Sequence, residues 1–140
     1  MNTAPPSKKI EYAIVCDDVR REDNGKLIII GAYASDIGLS SKSANLRLSL
    51  LVAVRSETEH QTLVTARVMQ DGKPIFEPKG GVKIRMPAKD IAMFSFGSIP
   101  VAIEAGKMLD FQVRFDQGRY RSACKIQVRE QPSYTSGSNA

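Results

Sequence analysis

The sequence predicts an all-β protein: a two-sheet antiparallel β-sandwich, immunoglobulin-like or of another Greek-key type, with about eight strands. Apolar and polar residues alternate at every second position through most of the chain, and no segment keeps the 3.6-residue period of a helix. Turn sequences recur at spacings of roughly 8–15 residues. A closed barrel is the alternative architecture. The absence of tryptophan removes one hallmark of true immunoglobulin domains.

Length and composition indicate one domain. The chain has 140 residues, enough for one hydrophobic core, and we place the β-sandwich domain at residues 10–130. Residues 1–9 and 131–140 are polar and contain Pro, Gly or Ser, so we predict two disordered tails. No stretch approaches the roughly 20 apolar residues that span a bilayer, and residues 1–9 lack the apolar core of a secretory signal. We therefore expect a cytoplasmic protein with no membrane partner.

The first half of the chain contains four strand patterns. Ile10–Val15 precedes a charged connection that ends in the tight-turn sequence Asn24-Gly25, in which both residues tolerate positive φ. Leu27–Ile30 is apolar at consecutive positions, which is typical of a strand covered on both faces, and we predict that it is central in its sheet. Residues 46–54 and 64–68 alternate and predict the next two strands.

The second half predicts the remaining strands. Residues 82–86 alternate, whereas Gly97 and Pro100 interrupt 94–103, where we expect a bend, a bulge or a crossing between sheets. Residues 109–115 and 120–128 form a predicted hairpin around Asp116-Gln117-Gly118. Strict alternation in the last strand assigns its Arg and Lys side chains to the polar face and Tyr120 to the apolar face.

An acidic run offers the best candidate for a cation site. Four carboxylates lie within seven residues and could supply oxygen ligands to Ca²⁺: Asp17, Asp18, Glu22 and Asp23. Their spacing does not match the Asp-x-Asp-x-Asp-Gly loop, and basic residues lie among them. We therefore favour a solvated connection between two strands and predict no metal and no cofactor, keeping these four residues as weak candidates.

No group of residues points to catalysis. His60 is the single histidine and lies in a polar loop sequence, without a Gly-x-Ser-x-Gly nucleophile motif. Cys16 and Cys124 are too few for a disulfide framework and fit buried thiols. Residues 79–83 contain two glycines and two lysines but lack the spacing of a phosphate-binding loop. We predict that the protein is not an enzyme.

The basic side chains suggest a partner instead. The chain carries a net charge of +5. Arg114, Arg121 and Lys125 are expected on one basic sheet face, where they could contact phosphates; nucleic acid is therefore an alternative partner. Few aromatic residues accompany them, so a solvated face that discourages edge pairing is the favoured interpretation. Arg20 and Arg21, in the charged connection, complete the candidate partner-binding residues.

The opening of the chain resembles a family. Ala13-Ile14-Val15-Cys16-Asp17-Asp18-Val19-Arg20, followed by Asn24-Gly25-Lys26 and Ile30-Gly31-Ala32-Tyr33, is similar to the start of a small uncharacterised bacterial domain family, a domain of unknown function. The resemblance is best over the first 33 residues. It implies a stand-alone bacterial β-sandwich and brings no activity and no site residues.

These observations together predict a non-enzymatic binding module. We expect a protein–protein interaction or structural domain whose partner is another protein or a second copy in a homodimer. The first alternative is a polyanion-binding or nucleic-acid-binding module that uses the basic face. The second is a calcium-binding sandwich that uses the acidic run.

Overall fold

A computed structural model describes residues 7–131 of the chain. The predicted tails therefore lie outside the described residues, except for positions 7–9 and 131. The first strand begins at Lys8, two residues before the predicted start of the domain. At the other end, the backbone N–H of Gln131 donates a 2.7 Å hydrogen bond to the carbonyl of Leu39.

The described residues form ten strands and contain no helix. The strands are β1 (Lys8–Arg21), β2 (Leu27–Tyr33), β3 (Asp36–Leu39), β4 (Ser43–Ser56), β5 (His60–Gln70), β6 (Lys73–Phe76), β7 (Val82–Met86), β8 (Asp90–Glu104), β9 (Met108–Phe115) and β10 (Arg121–Glu130). Two more strands are present than the sequence predicts, because β3 and β6 have four residues each and are too short to show a clear alternation.

The strands form two separate sheets, so the predicted sandwich is confirmed and the barrel alternative is not. One sheet has four strands in the order β2-β1-β4-β8, and the other has six, β3-β10-β9-β5-β6, with β7 also paired to β5. Neighbouring strands are antiparallel with one exception in the described chain: β3 runs parallel to β10, with Asp36 opposite Gln127.

The core lies between the two sheets and follows the alternation of the sequence. Alternate residues of β4 (Leu48, Leu50, Val52 and Val54) pack against alternate residues of the other sheet, among them Val64, Ala66, Leu109, Phe111 and Val113. Each fully buried Leu, Val or Phe contributes about 1.5–3 kcal/mol through the apolar area that it removes from water. This packing fixes which side chains of every strand face outwards.

The prediction that Leu27–Ile30 is a central strand is wrong. β2 is the edge strand of the four-stranded sheet and pairs, within residues 7–131, with β1 alone. Its three isoleucines, Ile28, Ile29 and Ile30, are all exposed. The prediction assumed that consecutive apolar residues are covered on both faces, and among residues 7–131 nothing provides that cover.

The predicted irregularity in residues 94–103 is a β-bulge. β8 pairs with β4 along its length, and the register shifts where Leu48 lies opposite Ile99 and Leu50 opposite Phe96. Ser98 has a positive φ of 52° at this bulge. Pro100 is accommodated because β8 is an edge strand, where a missing N–H costs no ladder hydrogen bond.

The prediction that Arg121 and Lys125 share one face of the last strand is wrong, because a second bulge lies between them. Arg121 lies opposite Val113, whose side chain is in the core, whereas Lys125 lies opposite Asp110 on the outer face. The register shifts between Ser122 and Cys124, so Ala123 is the extra residue. One extra residue reverses the direction of all side chains on one side of it. Arg121 and Lys125 therefore do not share a face.

Candidate partner-binding surfaces

The acidic run is divided between two faces of the sheet. Asp17 and Asp18 are consecutive residues of β1 and point to opposite sides. Asp17 accepts a hydrogen bond from the Tyr33 hydroxyl at 3.0 Å. Asp18 accepts from the backbone N–H of Val19 at 2.9 Å and from Arg20 Nε at 3.1 Å. Both carboxylates thus have protein partners of their own.

The other two acids lie in the connection between β1 and β2. Glu22 donates its N–H to the carbonyl of Lys26 at 2.8 Å and accepts at its own carbonyl from Gly25 N–H at 2.9 Å, which closes the turn. Arg21 also contacts this turn, through a 3.3 Å hydrogen bond from Nη1 to the Gly25 carbonyl. Within residues 7–131, no three His, Cys, Asp or Glu side chains are arranged to hold a metal ion, so the structure does not bring Asp17, Asp18, Glu22 and Asp23 together as ligands.

Arg121 lies at one end of the space between the sheets. Its Nη1 donates to the Lys8 carbonyl at 2.6 Å, and its guanidinium lies 5.2 Å from the centroid of the Phe115 ring. The Lys8 ammonium lies 5.3 Å from the same centroid. Burial lowers the pKa of Lys8, with the nearby charges of Asp116 and Arg121 acting in opposite directions. Arg121 therefore closes an end of the core and is separate from the other basic candidates.

Arg114 and Arg67 both lie against the ring of Tyr120 on the outer face of the six-stranded sheet. The Arg114 guanidinium lies 5.2 Å from the Tyr120 ring centroid, and that of Arg67 lies 3.9 Å from it. Arg67 Nε also donates to Gln112 Oε1 at 2.7 Å. Strict alternation predicted that Tyr120 faces the core, which is wrong. Arg67 was not among the candidate residues, because only the register of the strands shows that it and Tyr120 lie beside Arg114.

The thiols and the histidine lie at three separate places. Cys16 is fully buried and Cys124 partly buried, and burial raises the pKa of both thiols. His60 begins β5 and is only half-buried by its neighbours, with Nδ1 at 2.8 Å from the Thr58 carbonyl. Its polar sequence context predicts a loop, whereas His60 is the first residue of a strand and is partly buried.

The outer face of the four-stranded sheet is apolar, and we call it the apolar face. It consists of the apolar and small outward side chains of β2, β1, β4 and β8: Ile28, Ile30 and Ala32; Tyr12, Ile14 and Cys16; Ser49, Leu51 and Ala53; Met93 and Ser95. The charged residues Asp18, Arg20, Arg47 and Arg55 face outwards beside them. Cys16, Leu51 and Ala53 are fully buried although they lie outside the core between the sheets. Within residues 7–131, no further strand or helix forms a third layer over this face.

One aromatic side chain explains how small residues on this face are shielded. Ala53 lies opposite Tyr12 on one side and opposite Met93 on the other. The Tyr12 hydroxyl lies 3.6 Å from Met93 Sδ, so the side chains of β1 and β8 meet above β4. Four large apolar side chains remain exposed: Tyr12 at 44%, Ile28 at 41%, Met93 at 39% and Ile30 at 38%.

Two ion pairs lie beside the apolar face. Arg20 and Asp18 form an ion pair of 3.1 Å, and Arg55 Nε lies 3.3 Å from Glu11 Oε1. Both pairs are solvent-exposed, so they add little stability. The sequence does carry a signal for this face: Leu50–Val54 is apolar at consecutive positions, as in a strand covered on both sides.

The opposite outer face differs in chemistry. The central strands of the six-stranded sheet present a hydrogen-bonded polar network there, formed by Arg67, Gln112, Asp110 and Ser122. Arg114 lies beside it, over the Tyr120 ring, and Lys125 lies opposite Asp110. Asp110 accepts from Gln112 at 2.7 Å and from the Ser122 hydroxyl at 2.5 Å. Most polar groups of this face therefore have partners within the sheet, although Arg114 Nε is buried without a hydrogen-bond partner among residues 7–131.

Comparison with known proteins identifies a family for the chain but no activity. Residues 11–129 match the model of a family of unknown function (DUF6941). No curated protein matches the sequence. In residues 7–131, no helix has the length and apolar character needed to cross a membrane.

Proposed function

The chain belongs to a family of unknown function (DUF6941), as the resemblance of its opening implied, and from its surfaces we propose that it is a protein-interaction module that binds through the apolar face. The proposal is one of binding, with no catalytic step.

The contrast between the two outer faces carries the proposal. The six-stranded sheet covers its outer side with charged and amide side chains, as expected of a sheet that faces water. The four-stranded sheet instead presents Tyr12, Ile28, Ile30 and Met93 to solvent. Contiguous apolar patches rimmed by polar groups are characteristic of protein-binding surfaces.

The dimensions of the apolar face suit a protein partner. The side chains of this face span five residues on each of β2, β1 and β4 and three on β8, so with strands about 4.8 Å apart and about 3.3 Å per residue they project an area of roughly 300 Å². Relief from the tyrosine, methionine and isoleucine side chains makes the accessible area larger. A standard protein–protein interface buries about 800 Å² on each side, so this face has the size of the apolar centre of such an interface.

The composition of the face further defines the partner's surface. Aromatic residues and methionine are enriched in interface cores, and Tyr12 and Met93 lie in mutual contact at one end of this face. The neighbouring ion pairs, Arg20 with Asp18 and Arg55 with Glu11, neutralise one another. The partner surface is therefore apolar where it meets Tyr12 and Met93.

Site-specific photocrosslinking in the organism that makes the protein tests this proposal. A benzoylphenylalanine replacing Met93 places the reactive group on the apolar face, and the same group replacing Lys125 places it on the polar face as a matched control. We expect a defined protein adduct from position 93 and none from position 125. The mass of the adduct distinguishes a second copy of the chain from a different protein.

A further variant links the adduct to the apolar surface itself. Tyr12→Ser in the position-93 protein removes the aromatic group that covers Ala53, and we expect the yield of the adduct to fall about tenfold. Circular dichroism confirms that the variant remains folded. Equal adducts from positions 93 and 125, or none from position 93, would overturn the proposal.

A further inference from the structure

We infer that the exposed edge of β2 is a self-recognition site, at which β2 of a second copy adds antiparallel and the two four-stranded sheets become one sheet of eight strands. This inference goes beyond the proposed function, because it concerns the backbone edge of β2 and not the apolar face, and it names the partner as another copy of this chain.

The β2 edge differs from the other sheet edges of residues 7–131. β6 contains Lys73 and Pro74, β7 contains Lys83 and Arg85, β3 begins with Asp36, and β8 contains Pro100 and charged residues at both ends. Charges and prolines of this kind block unwanted pairing. β2 has the sequence Leu-Ile-Ile-Ile-Gly-Ala-Tyr and contains no charged residue and no proline.

The backbone of β2 presents hydrogen-bonding groups to a further strand. Glu22 and Lys26 form a hydrogen-bonded pair at the start of the β1–β2 ladder, and Ile28 and Ile30 follow it at every second position. In an antiparallel ladder, the residues between such pairs direct their N–H and C=O groups to the other side. The polar backbone groups of Ile29 therefore point away from β1, towards the edge.

This geometry fixes a symmetric register. With the twofold axis at Ile29, this residue faces Ile29 of the second copy, and Ile28 faces Ile30 of the second copy on the outer face. These are β-branched cross-strand pairs, which stabilise sheets. The nearest charged residue along the strand, Lys26, then faces Ala32 of the second copy, so two identical edges meet without like charges opposite each other.

The dimer also accounts for the composition of β2. Consecutive isoleucines are typical of a central strand, yet β2 lies at an edge and leaves Ile28, Ile29 and Ile30 each about two-fifths exposed, between 38% and 41%. In the eight-stranded sheet the two β2 strands become the central pair. The two apolar faces then join into one continuous surface on the same side of the sheet.

Charge substitution at the twofold axis tests the register. Sedimentation velocity on the full chain should give a dimer for the wild type, whereas Ile29→Lys and Ile29→Glu should each raise the dimer Kd at least about tenfold, since each places like charges opposite one another. Mixing the two variants should restore a dimer, because lysine then faces glutamate. Lys125→Glu, on the polar face, should leave the wild-type Kd unchanged.

A backbone variant tests the hydrogen bonds separately from charge. Ile29→Pro removes an N–H that points to the edge, whereas Ile30→Pro removes one that points to β1. We expect the first variant to be a folded monomer and the second to lose thermal stability. Hydrogen exchange should show the Ile29 amide protected in the wild-type dimer.

The outcomes separate this inference from the proposed function. A wild-type chain that stays monomeric at about 100 μM overturns the β2 dimer, and an adduct from position 93 with a different protein still supports the apolar face. A wild-type dimer that Ile29→Lys does not weaken, or whose two charged variants do not recombine, also overturns it. If position 93 gives no adduct but substitution of Ile29 weakens the dimer, the proposal of binding through the apolar face is overturned and that of pairing through the β2 edge is supported.

Discussion

The Tyr12 hydroxyl lies 3.6 Å from Met93 Sδ, although the two residues belong to strands separated by β4. Their side chains cross above Ala53, which is fully buried as a result. Each residue restricts the other, so this end of the apolar face is held in one arrangement before any partner arrives. Preorganisation of this kind reduces the entropic cost of binding.

Removing the aromatic ring should destabilise the domain even though Tyr12 is exposed. Tyr12→Ala takes away the cover of Ala53 and part of the cover of its neighbours, and we expect a loss of about 1–2 kcal/mol in the free energy of unfolding. Tyr12→Phe keeps the ring and should cost less than about 0.5 kcal/mol. Urea denaturation measures both, and equal losses would show that the hydroxyl, and not the ring, supplies the stability.

Gly31 should tolerate alanine less well than Gly25. Both glycines have positive φ, 67° and 87°, so both substitutions carry the strain of a left-handed backbone, about 1 kcal/mol. A Cβ at Gly31 would also collide with the Asp17 side chain, whereas one at Gly25 meets open space. Displacing Asp17 breaks its hydrogen bond with Tyr33, so Gly31→Ala should cost about 1–2 kcal/mol more than Gly25→Ala.

Thermal unfolding of both glycine variants provides the measurement. The difference between the two melting temperatures reports the collision alone, because the strain of the backbone is common to both. Similar melting temperatures would mean that Asp17 moves aside at no cost.

The bulge in β10 should be required for the fold. Deleting Ala123 removes the extra residue and forces one side of β10 to present its outward side chains to the core, which should cost about 3 kcal/mol or more. Ala123→Ser keeps the residue count and should cost less than about 1 kcal/mol. Denaturant unfolding compares the two proteins. A deletion variant as stable as the wild type would show that the strand can shift its register freely.

Asp116 should make stability depend on pH in the acid range. Hydrogen bonds from the Leu63 N–H, at 2.9 Å, and from the Thr62 hydroxyl, also at 2.9 Å, hold the pKa of Asp116 below its ordinary value of 3.8. A lowered folded-state pKa means that the carboxylate stabilises the fold above pH 3.8 and that this contribution is lost as the pH falls through the folded-state pKa.

Asp116→Asn is the matched variant because asparagine also tolerates the positive φ of 55° at this position. Since the side chain is largely exposed, we expect a loss of only about 1 kcal/mol at neutral pH. The difference between wild type and variant should shrink as the pH falls from 3.8 through the lower folded-state pKa of Asp116. A difference that stays constant down to acid pH would contradict this assignment.

Local alternation was sufficient to predict the fold class, the bulge region of β8 and the hairpin of β9 and β10. It was insufficient at two positions, for different physical reasons. β10 contains one extra residue, which has no signature in a sequence that alternates on both sides of Ala123. β2 has the composition of a central strand but a place at an edge, and strand order depends on contacts between distant segments that no local pattern records.

The candidate surface was predictable only in part. Arg20, Arg21 and Lys125 are exposed side chains, as expected from their charge. The apolar face combines residues from four strands that are far apart in the chain, such as Tyr12 and Met93, and no spacing rule connects them. The consecutive apolar residues of Leu50–Val54 were the one local indication that the outer side of the sheet is also apolar.

The parallel pairing of β3 with β10 has a consequence for the synthesis of the protein. Asp36 finds its partner, Gln127, only after the ribosome has made nearly the whole domain. Until then β3 has no neighbour in its sheet, and the core side chains of β9 lack the cover of β10. Closure of such long-range pairings is slow because the loop entropy is lost before the contacts form. The nascent chain is therefore exposed to misfolding until its last strand is released.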